Sequence, residues 1–198
     1  IRNIGLAILI TILSWPLTQF LYLVNMEIPM PDILVNMEDS TNGLIEQMLQ
    51  INSIPELLFV LVLMALTPAI GEELMFRGLF QRILRYNGLN VHLAVIVSAL
   101  IFSTIHMQFQ GFMPRFFLGL LLGYFLAFGG SLWIAIIAHF IFNGSQVVLT
   151  YFAEDKMDLT ASPQWEDFNF VVFAVGTILF GLASYYFWNQ NRVETDQL

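Results

Sequence analysis

Inside a long apolar stretch, Gly71-Glu72-Glu73-Leu74-Met75-Phe76-Arg77 sets two carboxylates side by side, with an arginine four residues after the second. From Leu57 to Gly71 no residue carries a formal charge. Charge in such surroundings is costly and usually functional. Downstream, His106 and His139 are the only other acid-base groups suited to proton transfer that lie well inside apolar segments. His139 is followed one turn later by Asn143, so two polar groups share one face of an otherwise apolar helix. Amide hydrolysis needs a base near a water and fixed donors aimed at the developing negative oxygen. Four polar side chains on three helices, Glu72, His106, His139 and Asn143, are enough to supply both.

Helical spacing sorts the two acids. Positions four apart share a face, so Glu73 reaches Arg77 in the favourable order, acid before base. Glu72 is turned about 100° away and has no local counter-ion. The expectation is a structural Glu73–Arg77 ion pair and an available Glu72. The bland alternative is that both glutamates end a helix or lie at an interface, paired with Arg77 and Arg82. His106 closes Phe102-Ser103-Thr104-Ile105-His106 near the end of a span, where a packing histidine is the common case. Interhelical hydrogen bonding is the corresponding reading of His139 and Asn143. Between the histidines, Phe116-xx-Gly119-xxx-Gly123 is a small-xxx-small pattern that lets helix backbones approach and sets the distance at which the polar helices meet. His92, beside the polar turn 85–90, is interfacial and is assigned no role.

Composition supplies the elements that position these residues. Of 198 residues 58% are hydrophobic and 11% charged, against roughly 25% charged in soluble domains, so the chain reads as an integral membrane protein. A membrane-spanning helix takes about 20 apolar residues. Six such runs can be drawn, at 4–24, from 55 through the glutamate motif, and at 91–107, 114–128, 131–151 and 168–188. They are too long and too uniformly apolar for barrel strands. The expected fold is an all-α polytopic bundle of about six spans around a central polar catalytic cavity. It forms one membrane domain over 1–198 with a core at about 55–151, and the stretches 25–53 and 154–167 are read as connecting loops. The run 4–24 has no small-residue cleavage site and reads as an ordinary span kinked at Pro16, while Ile1 in place of Met suggests a trimmed start.

The net charge of -8 is distributed as a topology signal. No Lys or Arg lies between Arg2 and Arg77, and both connecting stretches are acidic. Arg2, Arg82, Arg85 and Arg192 fall at alternate ends of the spans, which places both termini in the cytoplasm, with a bacterial cytoplasmic membrane as the expected location. Arg115 is the exception, in a short turn on the outer side. No basic face exists to neutralise phosphates, so nucleic acid is not an expected partner. Cysteine is absent, which excludes a thiol protease and a disulfide framework.

The glutamate motif, 102–106, Phe116-xx-Gly119-xxx-Gly123 and His139-xxx-Asn143 stand in the order and approximate spacing of the CPBP superfamily. This is the group of the type II CAAX prenyl endopeptidases and the bacteriocin-processing or Abi proteins, and the resemblance covers 55–151. It implies an intramembrane endopeptidase. In that family the first glutamate and first histidine activate a water, while the second histidine and the asparagine stabilise the oxyanion. On this chain those roles fall to Glu72 with His106, and to His139 with Asn143.

The resemblance also implies a lipid bilayer and a protein or peptide substrate as partners, with a prenylated C-terminal tail as the CAAX branch's version. Such proteins have been labelled metalloproteases, and Glu72, His106 and His139 make a set that zinc can take. The spacing is not that of the H-E-x-x-H helix, and neither histidine has an acidic partner evident in the sequence to orient it for a metal. No obligatory cofactor is therefore expected, with zinc left open. Two other functions compete. One is a non-catalytic immunity or scaffold protein, against which the intact polar set argues. The other is an ion or proton transporter, for which there are no pseudo-symmetric halves or paired broken helices.

Overall fold

The computed structural model describes residues 2–152 and 165–195. The described residues form eight helices and no strand: α1 Arg2–Leu13, α2 Trp15–Met26, α3 Asp32–Met48, α4 Ile54–Tyr86, α5 Val91–Ile105, α6 Phe112–Gly129, α7 Leu132–Phe152 and α8 Phe170–Thr195. Many large apolar side chains stay exposed, among them Phe59, Val62 and Leu74 on α4 and Val171, Ile178 and Leu182 on α8. An apolar exterior of this kind is stable against lipid. The protein is an integral membrane helical bundle.

Helices α4, α6, α7 and α8 are each long and apolar enough to cross a bilayer. The run at 4–24 is broken in two: α1 and α2 meet at Ser14 with a bend of 41°, next to Pro16 in the first turn of α2. Proline removes one backbone donor and its ring displaces the preceding turn, so the break is local chemistry. Gly176 of α8 receives Pro16, where an added Cβ would stand 2.8 Å from its Cγ.

The run at 91–107 departs from the expected six equal spans. It forms the 15-residue α5, about 22 Å long and short of a bilayer's hydrocarbon thickness. The helix stops because the chain turns back at His106, through the non-helical stretch 106–111, before α6 begins. Two further expectations are corrected. The supposed loop 25–53 contains α3, whose Asp32 opens the first turn and whose buried acid is Glu38, while Ile33 and Leu44 face outward. Arg115 lies in the first turn of α6 instead of in a connecting turn, and donates to the Gln108 carbonyl at 3.0 Å and its side-chain oxygen at 2.8 Å. A guanidinium so engaged is no topology signal. Most of the second acidic stretch, 153–164, lies outside the described residues.

The core is packed at two levels. Ile10 of α1, Leu122 and Phe125 of α6, Ala135 and Ala138 of α7 and Phe187 of α8 form the larger cluster. Leu57 and Val60 of α4 meet Val147 of α7 in the smaller one. Lipid tails are as apolar as leucine, so close packing and interhelical hydrogen bonds must hold such helices together. Asn3 of α1 donates to Asn191 of α8 at 2.8 Å, which brings the two ends of the described chain to the same end of the bundle.

Candidate active site

Helix α4 carries both glutamates and is widened on each side of them. Val62–Leu66 and Leu74–Phe80 are π-helical, a geometry frequent at functional sites. Ahead of the glutamates, Pro68 has no N–H and its ring crowds the preceding turn. The backbone N–H of Thr67 reaches Val62 instead, and the Thr67 hydroxyl donates to the same carbonyl at 2.8 Å. After the glutamates, Ser98 of α5 donates to the Phe76 carbonyl at 3.1 Å.

Glu73 is fully buried, and one of its oxygens holds two partners. Oε1 accepts from Arg77 Nη1 at 2.8 Å and from His139 Nδ1 at 2.9 Å. Arg77 then donates through Nη2 to the Gly119 carbonyl at 2.9 Å, and Gln81, one turn on, donates to the Gly123 carbonyl at 3.1 Å. The four-residue step of α4 is thus matched to that of α6. Glycine is required at both α6 positions because α5 presses on the same face. A Cβ at 119 would lie 2.9 Å from Ala99 Cβ, and one at 123 would lie 2.8 Å from Val95 Cγ1. The Arg77 guanidinium also stands 4.6 Å over the Phe102 ring, whose edge meets both His106 and His139.

Glu72 keeps 29% of its side-chain surface exposed, against none for Glu73. Its Oε1 is 3.7 Å from His106 Nε2, and its Oε2 is 3.8 Å from His139 Nε2. These gaps are too long for direct hydrogen bonds and short enough for one water to touch both sides. The remaining ring nitrogens are committed: His106 Nδ1 donates to the Phe102 carbonyl at 2.7 Å, and His139 Nδ1 donates to Glu73. Carbonyl and carboxylate oxygens only accept, so their partners assign the tautomers and turn both Nε2 atoms toward Glu72.

Three of the four residues singled out by spacing, Glu72, His106 and His139, therefore meet across α4, the end of α5 and α7. Asn143 lies one turn after His139, half-buried, and its side chain makes no hydrogen bond to a described residue. Two features were not read from the sequence. Phe102 is the aromatic hub of the cluster, and its position four residues before His106 was the available signal. Glu73 is more than Arg77's partner: it is the acid that orients His139, across 66 positions of sequence, and no spacing rule reaches that far.

This contact supplies an orienting acid that is not evident in the sequence, and it bears on zinc. A histidine that binds metal through Nε2 characteristically donates Nδ1–H to a carboxylate or backbone carbonyl, as both do here. The donor types are ones zinc accepts, but among the described residues no three His or acidic side chains stand arranged as a set that could hold a metal ion.

Residues 54–145, from the start of α4 into α7, match the family model described as Type II CAAX prenyl endopeptidase Rce1-like. This segment is somewhat less than half of the chain and contains every side chain of the cluster. It leaves out α1, α2, α3 and α8. No curated protein and no solved structure shows significant similarity to the chain. Residues 54–145 are thus similar to the type II CAAX prenyl endopeptidase Rce1-like family, in agreement with the resemblance of the sequence motifs to the CPBP superfamily.

Proposed function

We propose that the protein is an intramembrane endopeptidase that hydrolyses a peptide bond with a water held between Glu72 and His106. The observation that carries this reading is the division of labour between adjacent glutamates. Glu73 is consumed by Arg77 and His139, while partly exposed Glu72 faces two imidazole Nε2 atoms at one-water distance. Water bound there donates one proton to Glu72 Oε1 as its oxygen attacks the scissile carbonyl, and His106 Nε2 accepts its other hydrogen as a hydrogen bond. Glu72 then passes its proton to the leaving amine as the C–N bond breaks.

His139 and Asn143 serve the oxyanion. Because His139 already donates through Nδ1, donation from Nε2 requires the imidazolium form. Glu72 and Glu73 then balance Arg77 and His139, and the cluster is formally neutral. Zinc, where bound, would be held by Glu72 and the two Nε2 atoms and would supply Lewis-acid activation of the water. The reading keeps that metal non-obligatory, since the side chains alone provide a base, an acceptor for the water and two oxyanion donors.

The substrate class follows from the family: a membrane-associated protein or peptide, with a prenylated C-terminal tail as the CAAX version. The orientation that fits the Arg2, Arg82 and Arg85 distribution has both termini in the cytoplasm. Quantitative proteomics of membranes containing wild-type or Glu72→Gln protein tests the function. A precursor that accumulates with the variant is expected. Identical membrane proteomes would favour a sequestering, non-catalytic role.

A further inference from the structure

The stretch 106–111 begins at His106 and sits where α5 has stopped short, so non-helical backbone lies at the depth of the candidate site. Lipid cannot satisfy such backbone; protein side chains must. Met107, the residue after His106, has φ 54°, a left-handed conformation that a non-glycine residue keeps only when its surroundings hold it.

The holding groups come largely from outside the family-matched segment. Asn25, at the end of α2, donates to the Phe109 carbonyl and accepts from the Met113 N–H, both at 2.8 Å. Glu38 of α3, only 3% exposed, accepts from the Gln110 N–H at 2.9 Å. Asn42, one turn further along α3, accepts from the Gln108 amide at 3.2 Å. The Gln108 side-chain oxygen and carbonyl are in turn held by Arg115.

We infer that α3 and Asn25 form a clamp that positions His106, with Glu38 as its principal positioning residue. Resting on the proposed hydrolytic role of His106, this makes part of the catalytic geometry dependent on a helix outside the matched core. Glu38 acts by accepting a backbone N–H, a task that glutamine also performs. Glu38→Ala removes the acceptor, and Glu38→Gln keeps it. The distinction separates clamping from a requirement for charge.

The test is amide hydrogen exchange in detergent on wild type, Glu38→Ala, Glu38→Gln and Asn42→Ala, together with the imidazole ¹⁵N signals of His106. Expected for Glu38→Ala are loss of protection in 107–113, unchanged protection in 117–128 and displaced His106 signals, with Glu38→Gln like wild type. On the precursor identified with Glu72→Gln, a merely mispositioned His106 lowers kcat by roughly 100-fold with KM little changed. Asn42→Ala, which removes one side-chain bond, gives the same pattern in weaker form and serves if Glu38→Ala does not fold.

Wild-type protection of 107–113 in both alanine variants, or Glu38→Gln behaving as Glu38→Ala, overturns the clamp. The exchange result does not depend on catalysis. Full activity of Glu72→Gln would defeat the hydrolytic reading, whereas an inactive Glu72→Gln beside an unaltered 107–113 would defeat the clamp alone.

Discussion

The two sides of the polar cluster are built from like residues and organised in opposite ways. On the Glu73 side, Arg77 and His139 close onto Glu73, Arg77 onto the Gly119 carbonyl and Gln81 onto the Gly123 carbonyl, at 2.8 to 3.1 Å. On the Glu72 side, the same kinds of groups stand 3.7 and 3.8 Å apart, and Glu72 and His106 remain partly exposed. The contrast teaches that a carboxylate's task depends on what is left for it to bind. A carboxylate paired with a guanidinium and an imidazole is committed to structure. Its neighbour, one residue earlier and about 100° around the helix, keeps its oxygens for a water. The committed side also serves the open one, because Glu73 fixes which nitrogen His139 turns toward Glu72.

Exchanging the properties of the two sides is the direct way to break this contrast. The largest expected effect is on activity: Glu72→Gln keeps shape and lowers cleavage by at least roughly 100-fold, with thermal unfolding in detergent unchanged. A variant that unfolds readily while retaining cleavage would reverse the assignment of the two acids. The largest effect on stability belongs to the closed side. Arg77→Ala strands Glu73 in a buried place and costs about 3 to 5 kcal/mol, read as a lowered unfolding temperature. If it unfolds like wild type, Glu73 is not held as described.

Smaller effects sharpen the contrast at the helix contacts. Gly119→Ala drives a methyl against Ala99 and is expected to cost about 1 to 3 kcal/mol by overpacking, measured by the same unfolding. Gly71→Ala, one residue before Glu72, meets nothing within 4 Å. It is expected to leave activity intact and to stabilise α4 by about 0.5 to 1 kcal/mol. A destabilised Gly71→Ala would mean that the open side is packed after all. The smallest expected effect is that of metal removal. Metal content and cleavage measured on one chelator-treated sample should show cleavage retained, while stoichiometric zinc whose removal and restoration switch activity off and on would make Glu72, His106 and His139 metal ligands.

What was legible in the sequence is what happens within one helix. The pairing of Glu73 with Arg77, the break at Pro16 and the close approach through Gly119 and Gly123 all depend on offsets of three or four residues, or on one residue's covalent geometry. Hydrophobic runs marked the spans because a bilayer demands backbone bonding within each segment. Those rules misjudged α5, whose end is decided by the turn at His106 and not by hydropathy, and 25–53, where polarity suggested a loop and α3 formed. Only the tertiary structure decided that Glu73 would orient His139, that both Nε2 atoms would face Glu72, and that Glu38 would bind the backbone after His106. Each of these contacts joins residues far apart in the sequence. Their distances depend on how the helices cross and on where each helix ends, and neither quantity is encoded in any short stretch of residues.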